Sequence, residues 1–354
     1  MTTRQQNWRR KTMWGAGFLL LMLAVSALLP LTGWLLVDEA TAQSAAGDVN
    51  QRSEFWRAVR QGNSGYTAVT GQETSVLIQN GGENWRALRQ GPVVFFGSAI
   101  IIAMLAAIGV FYLIRGTITL EGGRSGLTVE RWPLFERVLH WYTAILFLIL
   151  AVTGLSLLFG RELMIPILGK DAFAAYALAA KNVHNYLGPF FAVGLVVEIV
   201  LWMRHNIPSR HDLVWFAKGG GMVGHAHPPA GRMNGGEKVW FWLLVVFGLA
   251  MIITGFILNF PQYGQTRDVM QVSHLIHTAS ALVLIAVALG HIYIATLGTE
   301  GALEGMTSGR VDVAWAKQHH DLWLEELEAK GVKPTPVQPK EDVGGAPATP
   351  PRPA

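Results

Sequence analysis

Residues 272–297 read VSHLIHTASALVLIAVALGHIYIATL, an apolar run with two histidines 14 residues apart, His277 and His291. In an α-helix these histidines lie about 21 Å apart along the axis, which is most of the roughly 30 Å hydrocarbon thickness of a bilayer. Fourteen steps of about 100° fall about 40° short of four full turns, so both rings point in nearly the same direction. The run therefore predicts a membrane-spanning helix with one inward imidazole near each leaflet.

The composition excludes several classes of protein and of site. The 354 residues are 51% hydrophobic and 15% charged, whereas a soluble domain carries about 25% charged residues. The absence of cysteine excludes disulfides, cysteine-ligated iron–sulfur clusters and thiolate zinc sites. The net charge is +4, but the basic residues flank apolar runs, which indicates contact with membrane lipid and not with nucleic acid. A redox centre in this chain must therefore depend on histidine, methionine or a bound organic cofactor.

Six apolar stretches are each long enough to cross a bilayer as a helix, and the sequence shows no alternation typical of strands. The predicted fold class is an all-α integral membrane protein with a four-helix core and one or two additional N-terminal transmembrane helices. The stretches are residues 13–37, 93–114, 138–159, 183–203, 239–260 and 272–297.

The predicted organisation has five parts. The first part is a signal peptide or signal-anchor helix, because basic residues precede the first apolar stretch and Ala40-Thr41-Ala42 follows it as a plausible cleavage site. The C-terminal part is a disordered proline-rich tail. The parts are residues 1–42, a periplasmic segment at 43–92, an additional transmembrane helix at 93–115, the four-helix domain with its cytoplasmic tail at 116–327, and the proline-rich end at 328–354.

Lysine and arginine predict the orientation of the chain in a bacterial inner membrane. They are concentrated at residues 115–137 and 204–238, whereas residues 259–270 contain only Arg267. Because cytoplasmic loops carry the excess of basic residues, these two regions and the C-terminus are expected in the cytoplasm. The remaining loops and residues 43–92 are then periplasmic.

Two further apolar stretches supply partners for the histidines. With this orientation, His140 begins a helix that leaves the cytoplasm and His184 begins one that leaves the periplasm. Depth pairs His140 with His291 and His184 with His277, which gives one bis-imidazole site per leaflet. This is the ligand set of low-spin b-type haem, and a six-coordinate iron suits electron transfer. His274, one turn before His277, is the alternative ligand on the last helix.

Several other residues have more than one interpretation. Glu198 is deep in the cytoplasmic half and either relays protons or pairs with a neighbouring group. Arg137, Arg204 and Lys238 either contact haem propionates or anchor the helices at the interface. Glycines in the helices leave room for a flat porphyrin or for close helix contacts. The remaining histidines are expected on the solvated surface; these are His205, His211, His225, His227, His319 and His320.

The sequence resembles a known family over about residues 128–327, with the intervals between motifs preserved. The family is the gamma subunit of respiratory formate dehydrogenase, a membrane cytochrome b that is related more distantly to the cytochrome b of nickel–iron hydrogenases. The motifs are Arg137-Val138-Leu139-His140-Trp141, Val183-His184-Asn185, His205-Asn206-Ile207-Pro208, Asn234-Gly235-Gly236-Glu237-Lys238, Leu275-Ile276-His277 and Ala316-Lys317-Gln318-His319-His320.

The resemblance implies two b haems on four core helices, with His184 and His277 on the periplasmic side and His140 and His291 on the cytoplasmic side. It also implies an electron-transfer subunit of a formate:quinone oxidoreductase, with formate oxidised on a molybdenum or tungsten subunit and electrons passed through an iron–sulfur subunit. The acceptor would be menaquinone or ubiquinone beside the cytoplasmic haem. The residues matching that quinone site are Asn234, Gly236, His291, Ile294 and Ala295.

Two alternatives remain open at this point. One is the cytochrome b subunit of a nickel–iron hydrogenase or of another molybdoenzyme, whose helices look similar. The other is a haem-free membrane anchor or transporter, in which the histidines pack between helices or relay protons.

Overall fold

The computed structural model describes residues 56–57, 60–61, 80–222 and 227–337. In this part of the chain five helical segments are long and apolar enough to cross a membrane, and each overlaps one of the last five predicted stretches, which confirms the all-α membrane class. Several predictions lie outside the described residues. These are the helix at 13–37, the cleavage site, most of the periplasmic segment before residue 80, and the chain beyond residue 337. The five spans are Gly81–Arg115, Leu134–Leu163, Ile165–His205, Gly235–Asn259 and Arg267–Gly298.

Helices account for 79% of the described chain. Two of the spans are interrupted by π-helical turns and a third ends in one, at Arg89–Val93, Leu244–Gly248 and Ile294–Gly298. The α-helices are α1 (Asn80–Leu88), α2 (Val94–Arg115), α3 (Leu134–Leu163), α4 (Ile165–Trp202), α5 (Arg210–Ala217), α6 (Gly235–Leu243), α7 (Leu249–Asn259), α8 (Arg267–Tyr293), α9 (Ala302–Thr307), α10 (Val313–His319) and α11 (Asp321–Ala329).

Helix α4 contains two interruptions that follow from its sequence. Gly169 has φ 76° and ψ 169°, a backbone conformation that glycine tolerates, and it separates the first turn from the transmembrane part. Pro189 has no N–H group, so the carbonyl oxygen of Asn185 one turn earlier loses its helical donor. The amide Nδ2 of Asn259 donates to that oxygen at 3.0 Å. This contact fixes the end of α7 against α4.

The membrane-spanning helices bury one face and expose apolar side chains on the other. Leu113, Ile114 and Val200 are 84%, 82% and 70% exposed, as expected for side chains that contact lipid. The inner faces meet in an apolar cluster at mid-depth, in which Leu195 and Leu284 are fully buried. The cluster consists of Leu146, Phe191, Leu195, Ile199, Phe241, Met251 and Leu284.

A small folded unit, here termed the cap, covers the end of the bundle where α3 begins and α8 ends; it comprises residues 116–132 and 299–337. It contains three short antiparallel strands, which no alternation in the sequence had indicated. The central β1 (Leu127–Glu130) lies between β2 (Arg310–Asp312) and β3 (Thr335–Pro336). Strands of two to four residues are too short for their alternation to be recognised in the sequence.

The cap has a core of its own, in which Val129 from β1 and Val311 from β2 are almost completely buried. The guanidinium of Arg131 lies 4.9 Å and 5.2 Å from the ring centroids of Trp315 and Trp323. Its Nη2 atom also donates to Glu237 Oε1 at 3.1 Å, so this ion pair joins the cap to the first turn of α6. The core cluster comprises Leu120, Val129, Val311, Trp315, Ala316, Trp323 and Leu324.

The prediction that all the loop and tail histidines are solvated was wrong for His320. Its side chain is 1% exposed, and its Nδ1 atom lies 2.8 Å from the carbonyl oxygen of Gly231. Burial lowers its pKa well below the ordinary value, and the nearby Arg131 adds to this effect. His319 is half-buried, while His227 is exposed and pairs with Glu121 at 3.1 Å. His225 lies outside the described residues.

Candidate functional site

Two pairs of histidine rings face each other inside the bundle. The rings of His184 on α4 and His277 on α8 have centroids 6.2 Å apart and planes at 73°; they are here termed the outer pair. The rings of His140 on α3 and His291 on α8 have centroids 6.4 Å apart and planes at 58°; they are here termed the cap-side pair. The structure thus brings together the two pairs predicted from depth.

His274, the alternative partner for His184, points elsewhere. Its ring contacts Trp85 edge to face, with centroids 5.3 Å apart. It therefore lies against the helix that precedes the four-helix core, one turn from His277.

The spacing within each pair fits one metal ion between two imidazoles. A metal–imidazole nitrogen bond is about 2 Å long, and the nitrogen is roughly 1 Å from the ring centre. Two rings on opposite faces of one metal ion therefore have centroids roughly 6–6.5 Å apart, as both pairs have. The geometry leaves room for an iron held by two axial histidines, as in b-type haem proteins.

Hydrogen bonds determine which nitrogen of the outer pair is free. The Thr153 hydroxyl donates its one proton to the carbonyl oxygen of Ile149 at 2.9 Å or to that of Leu150 at 3.1 Å. Its oxygen is then free to accept from His184 Nδ1 at 2.9 Å, and the ring also donates to the backbone of Leu150, whose carbonyl oxygen can only accept. Because Nδ1 carries the proton, Nε2 of His184 keeps its lone pair and can bind a metal.

The same arrangement is repeated at the other ring of the outer pair. Nδ1 of His277 lies 3.2 Å from the Thr254 hydroxyl and 3.2 Å from the carbonyl oxygen of Met251. A carbonyl oxygen only accepts hydrogen bonds, so this Nδ1 carries a proton and Nε2 is free. The two threonines belong to matching Thr-Gly dipeptides, Thr153-Gly154 and Thr254-Gly255. This repeat was the signal in the sequence that could have identified them.

The glycines of the two dipeptides keep space beside the rings. A Cβ atom added to Gly154 would lie 3.3 Å from His184 Cε1, and one added to Gly255 would lie 3.3 Å from His277 Cε1. Both glycines line a cavity of about 350 Å³ that also contains the two histidines and Gly188. An added Cβ at Gly188 would meet nothing within 4 Å. The outer pair thus borders an apolar space lined by glycine, which suits a flat aromatic group.

The cap-side pair is held by tryptophans. The ring of Trp240 stacks on His291 with centroids 5.1 Å apart and planes at 13°. Trp202 lies 6.5 Å from His140, and its Nε1 atom donates to Glu136 Oε2 at 2.7 Å. The two sites therefore use different contacts to orient their rings. The sequence carries no regular spacing that would have identified Trp202 and Trp240.

The apolar cluster at mid-depth separates the two pairs, since Leu284 is seven residues from both His277 and His291. Glu198 is 6% exposed and lies beside Ile199 of this cluster, against Thr143. Its Oε1 atom has no hydrogen-bond partner within the described part of the chain. The contact with Thr143 on α3 is a pairing with a neighbouring helix, one of the two roles predicted for Glu198.

The residues predicted to bind quinone lie in two places near the cap-side pair. Asn234 caps α6: its Oδ1 accepts from the N–H of Glu237 at 2.9 Å, and its own N–H donates to Glu237 Oε2 at 2.8 Å. A Cβ atom added to Gly236 would lie 2.9 Å from the Trp215 ring. Ile294 and Ala295 belong to the π-helical turn after α8.

The basic residues considered for propionate binding have protein partners. Arg137 Nη1 donates to the carbonyl oxygen of Thr307 at 2.5 Å, and Arg204 Nε donates to His205 Nε2 at 3.0 Å. Lys238 Nζ lies 2.9 Å from both carboxylate oxygens of Asp212. The contact of Arg137 ties α3 to the cap, and that of Lys238 ties α6 to α5.

The known proteins that this chain resembles include several cytochrome b556 subunits of formate dehydrogenases. The cytochrome b556(Fdn) subunit of nitrate-inducible formate dehydrogenase from Escherichia coli (strain K12) is 30% identical over 214 residues, which cover 58% of this chain and 94% of the relative. The cytochrome b556(fdo) subunit of formate dehydrogenase from the same strain is 29% identical over 204 residues, covering 56% and 93%. The formate dehydrogenase cytochrome b556 subunit of Haemophilus influenzae is 32% identical over 197 residues, covering 54% and 79%.

The family pattern described as prokaryotic cytochrome b561 matches residues 131–309, about half of the chain. These residues include both histidine pairs, and the family implies haem b as a cofactor. The first span, Gly81–Arg115, precedes the match. The chain, an integral membrane protein with five described spans, therefore belongs to the prokaryotic cytochrome b561 family.

Proposed function

We propose that this chain is the membrane cytochrome b subunit of a formate dehydrogenase complex and holds two b haems. His184 and His277 would hold one haem, and His140 and His291 would hold the other. The observation that carries the proposal is the pair of facing imidazoles at two depths, with centroid spacings of 6.2 Å and 6.4 Å. The names of the relatives support the assignment to formate dehydrogenase.

The side chains described above orient the histidines for haem binding and separate the two sites. When bound, the two haems supply one-electron carriers about 21 Å apart along α8, as estimated from the helix rise. Thr153 and Thr254 hold the outer imidazoles in the tautomer that binds iron. Trp202 and Trp240 hold the cap-side imidazoles, and the apolar cluster excludes water between the pairs. A pair of histidines on one iron leaves no position for substrate, so each site serves electron transfer.

The direction of electron transfer follows from the predicted orientation. We place the cap on the cytoplasmic side, since its loops carry the excess of lysine and arginine, and the outer pair on the periplasmic side. Electrons then enter from a periplasmic catalytic subunit, containing molybdenum or tungsten, through an iron–sulfur subunit. They leave at the cap side to menaquinone or ubiquinone in contact with Asn234, Gly236, His291, Ile294 or Ala295. In the bacterial inner membrane, formate oxidation outside and proton uptake inside would contribute to a proton-motive force.

The haem assignment is tested by a reduced-minus-oxidised spectrum with haem quantified per polypeptide. The wild-type chain should contain two b-type haems, and His184→Ala and His291→Ala should each lose one. His274→Ala is the matched control, because it removes an imidazole from the same helix one turn away and should keep both haems. A wild-type chain without haem would favour a membrane anchor or transporter instead.

The partner assignment needs a separate experiment on the intact complex. Formate should reduce the haems in membranes, and the purified chain should bring with it a molybdenum or tungsten subunit and an iron–sulfur subunit. Reduction by hydrogen and co-purification with a nickel–iron subunit would assign the chain to a hydrogenase.

A further inference from the structure

The helix that precedes the family match contributes a basic side chain to the cavity of the outer pair. Arg89 lies in the π-helical turn between α1 and α2, outside the matched residues 131–309. Arg89 lines the same cavity as His184 and His277, and its Nη2 atom donates to the carbonyl oxygen of Leu157 on α3 at 3.2 Å. The additional helix thus reaches across to the four-helix core at this point.

Packing along its length keeps this helix in place. Gly97 on α2 is buried against Leu282 on α8, where an added Cβ would lie 2.5 Å from a side-chain carbon. Trp85 on α1 contacts the ring of His274 on α8. These contacts hold the π-helical turn, and Arg89 with it, at the cavity.

The basic groups at this cavity all lie on the same side of the outer pair. Lys181 is three residues before His184, and His274 is three residues before His277. Leu157, whose carbonyl oxygen accepts the hydrogen bond from Arg89, is three residues after Gly154. Three residues of helix rise by about 4.5 Å, so all these groups lie one turn from the rings, on the side away from the cap. One end of an apolar cavity is therefore lined by Arg89, Lys181 and His274.

We propose that Arg89, with Lys181, binds the propionate carboxylates of the haem held by the outer pair. The inference rests on the proposed haem ligands and adds a function for the helix outside the family match. A haem is apolar except for its two carboxylates, and an arginine at the rim of an apolar cavity is a suitable partner for carboxylates. His274 borders the same end of the cavity, but its ring packs against Trp85.

A positive charge at this position should also change the reduction potential of the outer haem. Ferric haem carries one more positive charge than ferrous haem, so a nearby guanidinium favours the reduced form. Removal of that charge should lower the potential of one haem and leave the potential of the other, about 21 Å away, unchanged. A variant that keeps the positive charge should keep the potential, which separates a charge effect from a merely structural role of Arg89.

The test is a redox titration of the purified chain, followed spectroscopically, with haem quantified per polypeptide. Arg89→Gln should reduce the equilibrium constant for reduction of one haem about tenfold, which is ~59 mV for one electron. Arg89→Lys should retain most of the wild-type potential, because it keeps the charge. Arg86→Gln is the matched control, since Arg86 lies three residues earlier, is exposed and pairs with Glu83 at 2.7 Å.

The possible outcomes distinguish failure of this inference from failure of the proposed function. Two bound haems with unchanged potentials in Arg89→Gln would overturn the role of Arg89 but not the assignment of the histidine ligands. The guanidinium would then bind a lipid phosphate. A wild-type chain without haem would overturn the proposed function itself. If Arg89→Gln does not fold, Lys181→Gln in the same titration keeps the proposal testable: a shift confined to one haem supports it, and no shift refutes it.

Discussion

The Thr153 hydroxyl and Nδ1 of His184 are 2.9 Å apart, and this contact determines which nitrogen of the ring is free. The threonine proton is used by a backbone carbonyl oxygen one turn earlier, so the hydroxyl oxygen can only accept from the imidazole. The protein thereby selects the tautomer with a free Nε2 before any metal binds. Contacts of this kind make a large difference to metal affinity, because they fix both the orientation and the basicity of the ligand.

Thr153→Val should therefore weaken haem binding at the outer pair while preserving the shape of the side chain. We expect haem to be retained about 10–100-fold less strongly, as for other groups that orient a ligating histidine. The measurement is the transfer of haem to excess apomyoglobin, followed as a two-phase time course. One phase should accelerate and the other should not change.

Thr278→Val is the control for this substitution. Thr278 lines the same cavity, but its hydroxyl donates to the carbonyl oxygen of His274 at 2.8 Å and contacts neither ring of the outer pair. Equal transfer rates for the two variants would show that the hydroxyl of Thr153 does not control the ligand.

The positions of the four histidines could be predicted because the helix has a fixed rise and a fixed rotation. The interval between His277 and His291, together with the orientation, was enough to pair them with His184 and His140. The contacts of Thr153 and Trp240 could not be predicted in this way, because they depend on the rotation of one helix against another. That rotation is set by packing, for example by the contact between Asn259 and the carbonyl oxygen of Asn185, and not by periodicity within one helix.

The cap escaped prediction for a different reason. Its strands come from parts of the chain far apart in sequence, with Thr128 opposite Asp312 and Thr335. Each strand is too short to show a pattern, and the buried Arg131 looked like a residue of a basic cytoplasmic loop. Its three tryptophan neighbours and Glu237 compensate for burial of the charge. A polar residue whose partners come from distant segments cannot be distinguished from a surface residue by local sequence.

Gly188→Ala should test whether the cavity of the outer pair is filled in the working protein. Its added Cβ meets nothing within 4 Å, and alanine is the better helix former by up to about 1 kcal/mol. The polypeptide alone should therefore tolerate the substitution. With a haem in the cavity the methyl group competes for space, so we expect loss of one haem per chain while expression and helix content by circular dichroism are preserved.

Gly109→Ala is the matched control, because Gly109 lies in α2, is exposed and also has nothing within 4 Å of an added Cβ. This variant should keep two haems. Two haems in Gly188→Ala as well would mean that the haem does not occupy the space beside Gly188.

Trp240→Leu should alter the cap-side haem and leave the outer haem as an internal control. The indole stacks on His291 at 5.1 Å, and leucine keeps an apolar side chain but removes the flat surface that holds the ring. We expect a broadened or shifted low-spin ferric signal in the electron paramagnetic resonance spectrum for one of two haems. Identical spectra for the variant and the wild-type chain would show that Trp240 does not orient the ligand.

His319 and His320 should make the stability of the cap depend on pH. Burial lowers the pKa of His320 well below its ordinary value and lowers the pKa of His319 to about 4. Above pH of about 6.5 both rings are neutral in the folded and unfolded states, so they contribute no pH dependence. Below that pH the unfolded chain binds protons that the folded cap excludes, so stability is lost as the pH falls toward the lowered pKa values.

For His320 the loss should approach about 1.4 kcal/mol per pH unit below the unfolded pKa. The thermal midpoint of the purified chain should fall between pH 7.5 and pH 5.5, and this fall should be smaller by a few degrees in His320→Asn. Asparagine keeps an N–H group that can donate to the carbonyl oxygen of Gly231, but it does not titrate. His227→Asn, at an exposed position of the same region, should behave as the wild-type chain does. An equal fall in all three proteins would place the pH dependence elsewhere in the molecule.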